Sequence, residues 1–235
     1  MKDCLFIDKC PRQKQCEGCQ IKVIQDEVLR MSNIPAKYRG LRLEANIPPT
    51  VQGEGRKNLL TYMQNLAIME EKGINMLIYP KATADNMEGC GTGKTTIACA
   101  LGQEYIRQNI KKFDLTPLAL FINAEEFADL KRREATGKQL TEMERYTLDN
   151  VEKAPFLIID DLGAEKISDF TIQSLYGLIN TRINNPMITI YTTNLSMEGL
   201  QLHLGERLYS RIASSLKIET SGKDLRQALM NSLFG

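Results

Sequence analysis

The sequence predicts an α/β protein with a five-stranded parallel sheet between helices. Three observations predict it. From residue 76 onward short apolar runs alternate with helical patterns, as parallel strands covered on both faces require. The first run, Met76-Leu77-Ile78-Tyr79, leads to Gly91-Thr92-Gly93-Lys94-Thr95-Thr96 and then to a helical pattern. A later run, Phe156-Leu157-Ile158-Ile159, ends in the carboxylate pair Asp160-Asp161.

A chain of 235 residues supports one sizeable core with a small appendage. Its net charge of +1 implies no particular partner, so a nucleic-acid ligand would need a local basic patch or several subunits acting together. No run of 18 apolar residues predicts a membrane span, and Met1-Lys2-Asp3-Cys4 opens no signal-peptide pattern. The expected location is the cytoplasm, where the six cysteines would not form disulfides.

The chain divides near residue 45 into a cysteine-rich segment with a linker (1–45) and a larger domain (46–235). Cys4, Cys10, Cys16 and Cys19 fall within sixteen residues, and Cys16-Glu17-Gly18-Cys19 resembles a zinc knuckle. Four thiolates complete a tetrahedron around Zn²⁺ without a histidine. So short a segment has little apolar area of its own, and metal binding would supply ~10–16 kcal/mol of apparent folding energy. The alternative is a disordered N-terminus with reduced thiols. Cys90 and Cys99, on either side of the glycine-rich stretch, read as small packing residues.

Ile21, Ile24, Val28 and Met31 recur at helical spacing, Pro35 to Gln52 reads as a linker, and residues 57–72 read as one helix closed by Gly73. Strands are expected at 76–79, 117–122, 156–159, 187–191 and 216–218. Between them lie helices at 96–112, 124–133, 141–151, 168–184 and 204–214, with a closing helix at 224–233.

Gly91 to Thr96 reads as a phosphate-binding loop. Glycines let the backbone wrap an anion, the following helix offers unpaired N–H groups, Lys94 adds positive charge, and the Thr95 hydroxyl suits Mg²⁺. The strand ending in Asp160-Asp161 has the shape of a Walker B element. Its first acid would hold the magnesium, and its second would orient and deprotonate a water. Asn194, after the run Ile190-Tyr191-Thr192-Thr193, would face the γ-phosphate. Arg211 and Arg226 are suited to bidentate grip on phosphate oxygens. Taken singly, these residues also read as a turn asparagine and as surface arginines. Lys131-Arg132-Arg133 reads as a solvated helix end rather than a contact for single-stranded DNA, and the lone His203 has no catalytic pattern around it.

The order of these motifs carries a family resemblance. The phosphate loop is followed by Ile-Ile-Asp-Asp-Leu-Gly-Ala-Glu (158–165), Thr-Thr-Asn (192–194), Glu-Arg-Leu-Tyr-Ser-Arg-Ile (206–212) and Gly-x-Asp-x-Arg (222–226). Together with Ile34-Pro35-x-x-Tyr38-Arg39, this resembles the AAA+ helicase loaders of the DnaC and DnaI type over about residues 33 to 230, and the cysteine-rich segment resembles DnaI more than DnaC. The resemblance implies an AAA+ P-loop ATPase that loads a DnaB-type replicative hexameric helicase onto single-stranded DNA and self-associates through its ATPase domain, with ATP, Mg²⁺ and Zn²⁺ as cofactors. It implies that Gly91, Thr92, Gly93, Lys94, Thr95 and Thr96 hold phosphate and that Thr95 and Asp160 hold magnesium. Asp161 stands where many AAA+ proteins have a catalytic glutamate, Asn194 becomes sensor 1, and Arg226 becomes sensor 2. Arg211 becomes the arginine finger, with Arg207 as competitor.

The rival readings are an IstB-type transposition helper ATPase, a nucleotide-holding adaptor with little hydrolysis, and a P-loop kinase for a small metabolite. The full loop pattern places a glycine where this chain has Glu88, and Pro80 to Gly89 is a long connection. The expectation is that this connection bulges outward, carries Glu88 away from the phosphates and leaves Gly91 to Thr96 in ordinary geometry. Stripping the metal with a chelator is expected to abolish the structure and function of the cysteine-rich segment. A metal-free preparation that keeps both, by circular dichroism and activity, excludes zinc there.

Overall fold

Met76, Leu77 and Ile78 are all fully buried, which happens to a strand only when both faces of its sheet are covered. A computed structural model of the chain describes residues 20–84, 86–112, 116–164 and 168–226. Its sheet consists of β1 (Met76–Lys81), β2 (Ala119–Asn123), β3 (Phe156–Leu162), β4 (Ile188–Thr193) and β5 (Leu216–Ser221), in the order β2-β3-β4-β1-β5 with every pairing parallel. The five-stranded parallel sheet expected from the sequence is present. The zinc-ligand candidates Cys4, Cys10, Cys16 and Cys19 lie outside the described residues, and among the described residues no cluster of histidine, cysteine or acidic side chains has metal-site geometry.

The period-two alternation of a strand sorts its side chains between two cores. On one face Met76, Ile78, Phe156, Ile158, Ile190 and Ile218 pack under α5 (Lys94–Asn109) and α3 (Gly53–Gln64). On the other, Leu77, Leu157, Ile159 and Tyr191 meet α6 (Ala124–Ala135), α8 (Asp169–Ile183), α9 (Met197–Leu204) and α10 (Glu206–Ala213). Among the described residues, four helix starts carry side-chain caps. Asn123, Ser168 and Ser196 accept backbone N–H groups of the first turns of α6, α8 and α9. Thr141 and Glu144 form a reciprocal capping box at the start of α7 (Glu142–Asn150). Among the described residues, no helix is long and apolar enough to cross a membrane.

Several expectations change. Pro35 to Gln52 is not a free linker. It holds a 3₁₀ turn at Ala36–Tyr38 and the short α2 (Leu43–Asn46), and it buries Leu43 and Val51 in the core that also takes Val28 and Leu29 of α1 (Gln20–Met31). Proline and glycine content suggests a linker, but buried polar contacts pin the segment, among them those of Gln103 of α5. Gln103 accepts from Gly40 N at 2.7 Å and donates to the Tyr38 carbonyl at 2.7 Å. The single helix expected at 57–72 breaks at Asn65 into α3 and α4 (Leu66–Glu71). The helix expected at 204–214 is α10, while α9, which ends at Gly205 (φ 74, ψ 160), is a helix not expected from the sequence. Of the closing helix, Leu225 and Arg226 are helical and residues 227–235 lie outside the described set.

Arg182 is the largest fully buried side chain among the described residues, at 1% exposure. Its guanidinium donates to Thr189 Oγ1, to the Val151 and Ala154 carbonyls beyond α7, and to the Ile188 carbonyl, at 2.7–3.2 Å. Burial without a carboxylate partner pulls its pKa down to about 10. The planar fork thus ties α8 to the end of α7 and the start of β4. Lysine cannot reproduce that fork, so Arg182→Lys is expected to cost about 1–3 kcal/mol in urea denaturation.

Candidate nucleotide site

The carboxyl ends of parallel strands are where such sheets place ligands, and here β1, β3 and β4 deliver loops to one cleft. Its walls include Lys37, Tyr38, Lys94, Asp161, Asn194 and Arg226, around a volume of about 460 Å³.

The glycine-rich loop follows from steric need. Gly93 (φ 87) begins α5 in a left-handed conformation, and a Cβ there would lie 2.5 Å from Pro48 Cγ. Gly91 (φ 66) gives its side-chain space to the Asp224 carboxylate, and its carbonyl accepts Leu225 N at 3.0 Å. Lys94 is only 5% exposed. Its Nζ donates to the Gly89 carbonyl at 2.7 Å and to Thr92 Oγ1 at 3.3 Å. Burial lowers the Lys94 pKa, while the nearby Cys90, Asp161 and Asp160 pull it the other way.

The extra residues before the loop fold into a turn in which Thr83 and Asn86 exchange backbone hydrogen bonds at 3.0–3.1 Å. Asn86 Nδ2 donates to the Cys90 carbonyl at 2.7 Å and to the Gly222 carbonyl at 3.1 Å, tying the loop to the end of β5. Glu88 is exposed and is not among the residues lining the cleft. Cys99 is a buried packing residue, as expected, whereas Cys90 borders the cleft.

Asp160 at the end of β3 is 6% exposed. It accepts Thr95 Oγ1 at 2.9 Å and Thr192 Oγ1 at 2.6 Å. Burial raises its pKa above the usual carboxylate value, with Asp161 adding to the rise and Thr192, Thr95 and Lys94 opposing it. Asp161 takes φ 59, unusual for a residue with a side chain. Its backbone N–H donates to Thr192 Oγ1 at 3.0 Å, and its Oδ1 accepts Asn194 Nδ2 at 2.8 Å. This donor set suits a divalent cation beside a phosphate: a hydroxyl and a buried carboxylate already within 3 Å, next to a lysine and an anion-wrapping loop. A cation would also relieve the buried negative charge that now holds Asp160 upward.

The sequence-predicted residues thus fall into two groups. Gly91 to Thr96, Asp161, Asn194 and Arg226 meet at the cleft, with Asp160 directly behind Thr95. Arg211 does not join them. Its guanidinium lies 4.5 Å from the centre of the Tyr176 ring, and its nitrogens donate to Asn180 Oδ1 and to the Arg207 carbonyl. Arg207 is exposed on the same helix. Each cation of the 131–133 run is paired, Lys131 with Glu134, Arg132 with Asp129 and Arg133 with Glu144, in keeping with a solvated helix end. A larger groove of about 840 Å³ beside α6 and α7 contains none of the phosphate-loop residues.

Sequence reasoning assigned nothing to Thr192, Lys37, Asn86 or Asp224. Thr192 did carry a signal, since a hydroxyl inside a strand buried on both faces must find a partner. Asp224 stood inside the Gly-x-Asp-x-Arg motif without a role of its own, while Lys37 and Asn86 depend on which loops meet, and no local pattern reports that.

Because its folded pKa is raised, Asp160 stabilises the fold below its unfolded pKa, and that contribution disappears as pH rises through the folded pKa. At neutral pH its charge is therefore a cost in the ligand-free protein. Asp160→Asn is expected to leave the ligand-free melting temperature unchanged or raised at pH 7. It should also remove most of the stabilisation by MgATP, which for a competent site is about 2.7 kcal/mol at a hundredfold excess over Kd.

Comparison with known proteins agrees with this geometry. Residues 80–213 match the family described as IstB-like ATP binding protein. The phage-like element PBSX protein XkdC of Bacillus subtilis (strain 168) is 29% identical over 136 residues, covering 54% of this chain and 47% of that protein, so the chain matches about half of that relative's length. Among solved structures, the DnaC helicase loader aligns at TM-score 0.60 and 22% identity, covering 79% of this chain and 99% of that one. DnaI aligns at 0.53 and 21%, covering 84% and 92%. The replication initiator DnaA bound to AMPPCP and single-stranded DNA aligns at 0.59 and 17%, covering 86% and 57%. At these identities the structural likenesses establish a shared AAA+-like fold. The family match spans more than half of the sequence and includes the phosphate loop, Asp160, Asp161 and Asn194, so the chain belongs to the IstB-like ATP binding protein family.

Proposed function

We propose that this protein is an ATPase that loads a DnaB-type replicative hexameric helicase onto single-stranded DNA in the cytoplasm. The observation that carries the reading is the division of the site. The phosphate loop, Asp160, Asp161, Asn194 and Arg226 are brought together in one chain, while Arg207 and Arg211 remain on α10 away from the cleft. That arrangement supports a site completed by a second copy, with Arg211 or the exposed Arg207 reaching the neighbour's nucleotide. The worth of such a finger is ~10³–10⁵ in turnover.

Within one subunit, Lys94 and the N–H groups of residues 91–96 bind the phosphates, and Arg226 also reaches them from the cleft wall. Thr95 and Asp160 would hold Mg²⁺, which neutralises charge on the β- and γ-oxygens. Asn194 occupies Asp161 Oδ1, so the other carboxylate oxygen accepts the proton of the attacking water. Slow, switch-like turnover suits a protein that grips and then releases a partner. The cysteine-rich segment, with Zn²⁺ on Cys4, Cys10, Cys16 and Cys19, and the region up to residue 45 would engage the helicase. The family match favours one second reading, an IstB-type helper of a transposase.

Single-stranded-DNA-stimulated ATPase, and capture of a hexameric helicase with and without residues 1–45, test the reading. Lys94→Ala removes contacts worth about 1.5–3 kcal/mol each and is expected to weaken ATP binding at least tenfold and to abolish loading. Loading that survives intact overturns the ATP switch, and capture of a transposase instead of the helicase favours the second reading.

A further inference from the structure

β3 carries a bulge at its two acids. Ile159 pairs with Tyr191 and Leu162 with Thr193, so Asp160 and Asp161 together oppose the single residue Thr192. The bulge places Asp161 at φ 59, a conformation that is strained for a non-glycine residue and persists only where its surroundings hold it. It also turns the Asp161 N–H from the backbone ladder to the Thr192 hydroxyl at 3.0 Å. The same oxygen donates its proton to Asp160 Oδ1 at 2.6 Å. A hydroxyl has one proton and two lone pairs, so it can make both bonds at once. Thr192 is fully buried, so water does not readily replace it.

We propose that Thr192 is a positioning residue for ATP hydrolysis. Its hydroxyl links the Asp160 carboxylate to the Asp161 backbone N–H, holds the bulge in shape and so aims Asp161 into the cleft, where Asn194 secures one oxygen. Thr192 does not line the cleft, and without it Asp160 keeps its bond to Thr95, so its loss falls mainly on the water-activating Asp161 and little on nucleotide binding. Valine has nearly the same shape but leaves the Asp161 N–H buried and unpaired, with no bond across the bulge. Serine keeps both bonds. This inference rests on the hydrolytic reading above.

The test compares the full-length wild type with Thr192→Val, Thr192→Ala and Thr192→Ser, with single-stranded DNA present. It measures kcat, KM for ATP, affinity for the non-hydrolysable analogue AMPPCP with Mg²⁺, and melting temperature. Misplacing a catalytic group by about 1 Å costs ~10²-fold, so kcat of the valine variant is expected to fall by about that factor. AMPPCP affinity should stay within about threefold, which is under 1 kcal/mol, and serine should restore most of the turnover. Alanine, which leaves room for a water, covers the case in which valine prevents folding, and it should also lose kcat. Wild-type turnover matched by the valine and alanine variants overturns this inference alone. Equal losses of turnover and affinity that serine does not rescue make Thr192 a merely structural residue and also overturn it. A wild type that does not hydrolyse ATP at all removes the hydrolytic reading, and this inference with it.

Discussion

The buried carboxylate of Asp160 is the group on which the rest of the site depends. A negative charge at 6% exposure is unfavourable unless hydrogen-bonded or paired, and three side chains contribute to its shell. Thr95 comes from the start of α5, Thr192 from β4, and Lys94 lies close enough to oppose the rise in its pKa. Those contacts set the distance between the phosphate loop and the ends of β3 and β4. Loss of that spacing would leave Lys94, Asp161 and Asn194 without a common cleft.

The same argument explains why the loop region is tied to distant parts of the chain. Gly91 and Gly93 leave space that Asp224 and Pro48 fill, and Thr50 Oγ1 donates to the Thr92 carbonyl at 2.6 Å. Asn86 joins the loop to the end of β5, and Gln103 holds residues 38 and 40 against α5. Segments far apart in sequence, 35–50 and 222–226, therefore both border one cleft. Arg226 stands in that cleft because Asp224 and Leu225 pack onto the loop at Gly91, and Asp224 Oδ1 accepts Arg226 N at 2.8 Å.

Two carboxylates side by side would repel each other in a regular strand only as strongly as their separation allows, and a strand would send them to opposite faces. The bulge changes that geometry. It keeps Asp160 in the buried shell behind Thr95 and brings Asp161 to the cleft wall. Neighbouring residues of one chemistry thus acquire different surroundings, and different surroundings are what separate a metal-holding acid from a proton acceptor.

The sequence by itself determined the parallel α/β sheet, the phosphate loop and the acid pair, because hydrophobic period and glycine spacing are local properties of the chain. The helix break at Asn65 escaped, since the apolar pattern continues while only the backbone turns, and so did the two-turn helix α9 ahead of Gly205. Tertiary structure alone decided that Pro35 to Gln52 packs into the core, that Gly89 and not residue 88 offers its carbonyl to Lys94, and that Arg211 stays on α10 beside Tyr176. It also decided that one threonine faces both acids. Each of these depends on which distant groups meet across the sheet, and a linear pattern of residue types does not encode a meeting between segments separated by dozens of residues.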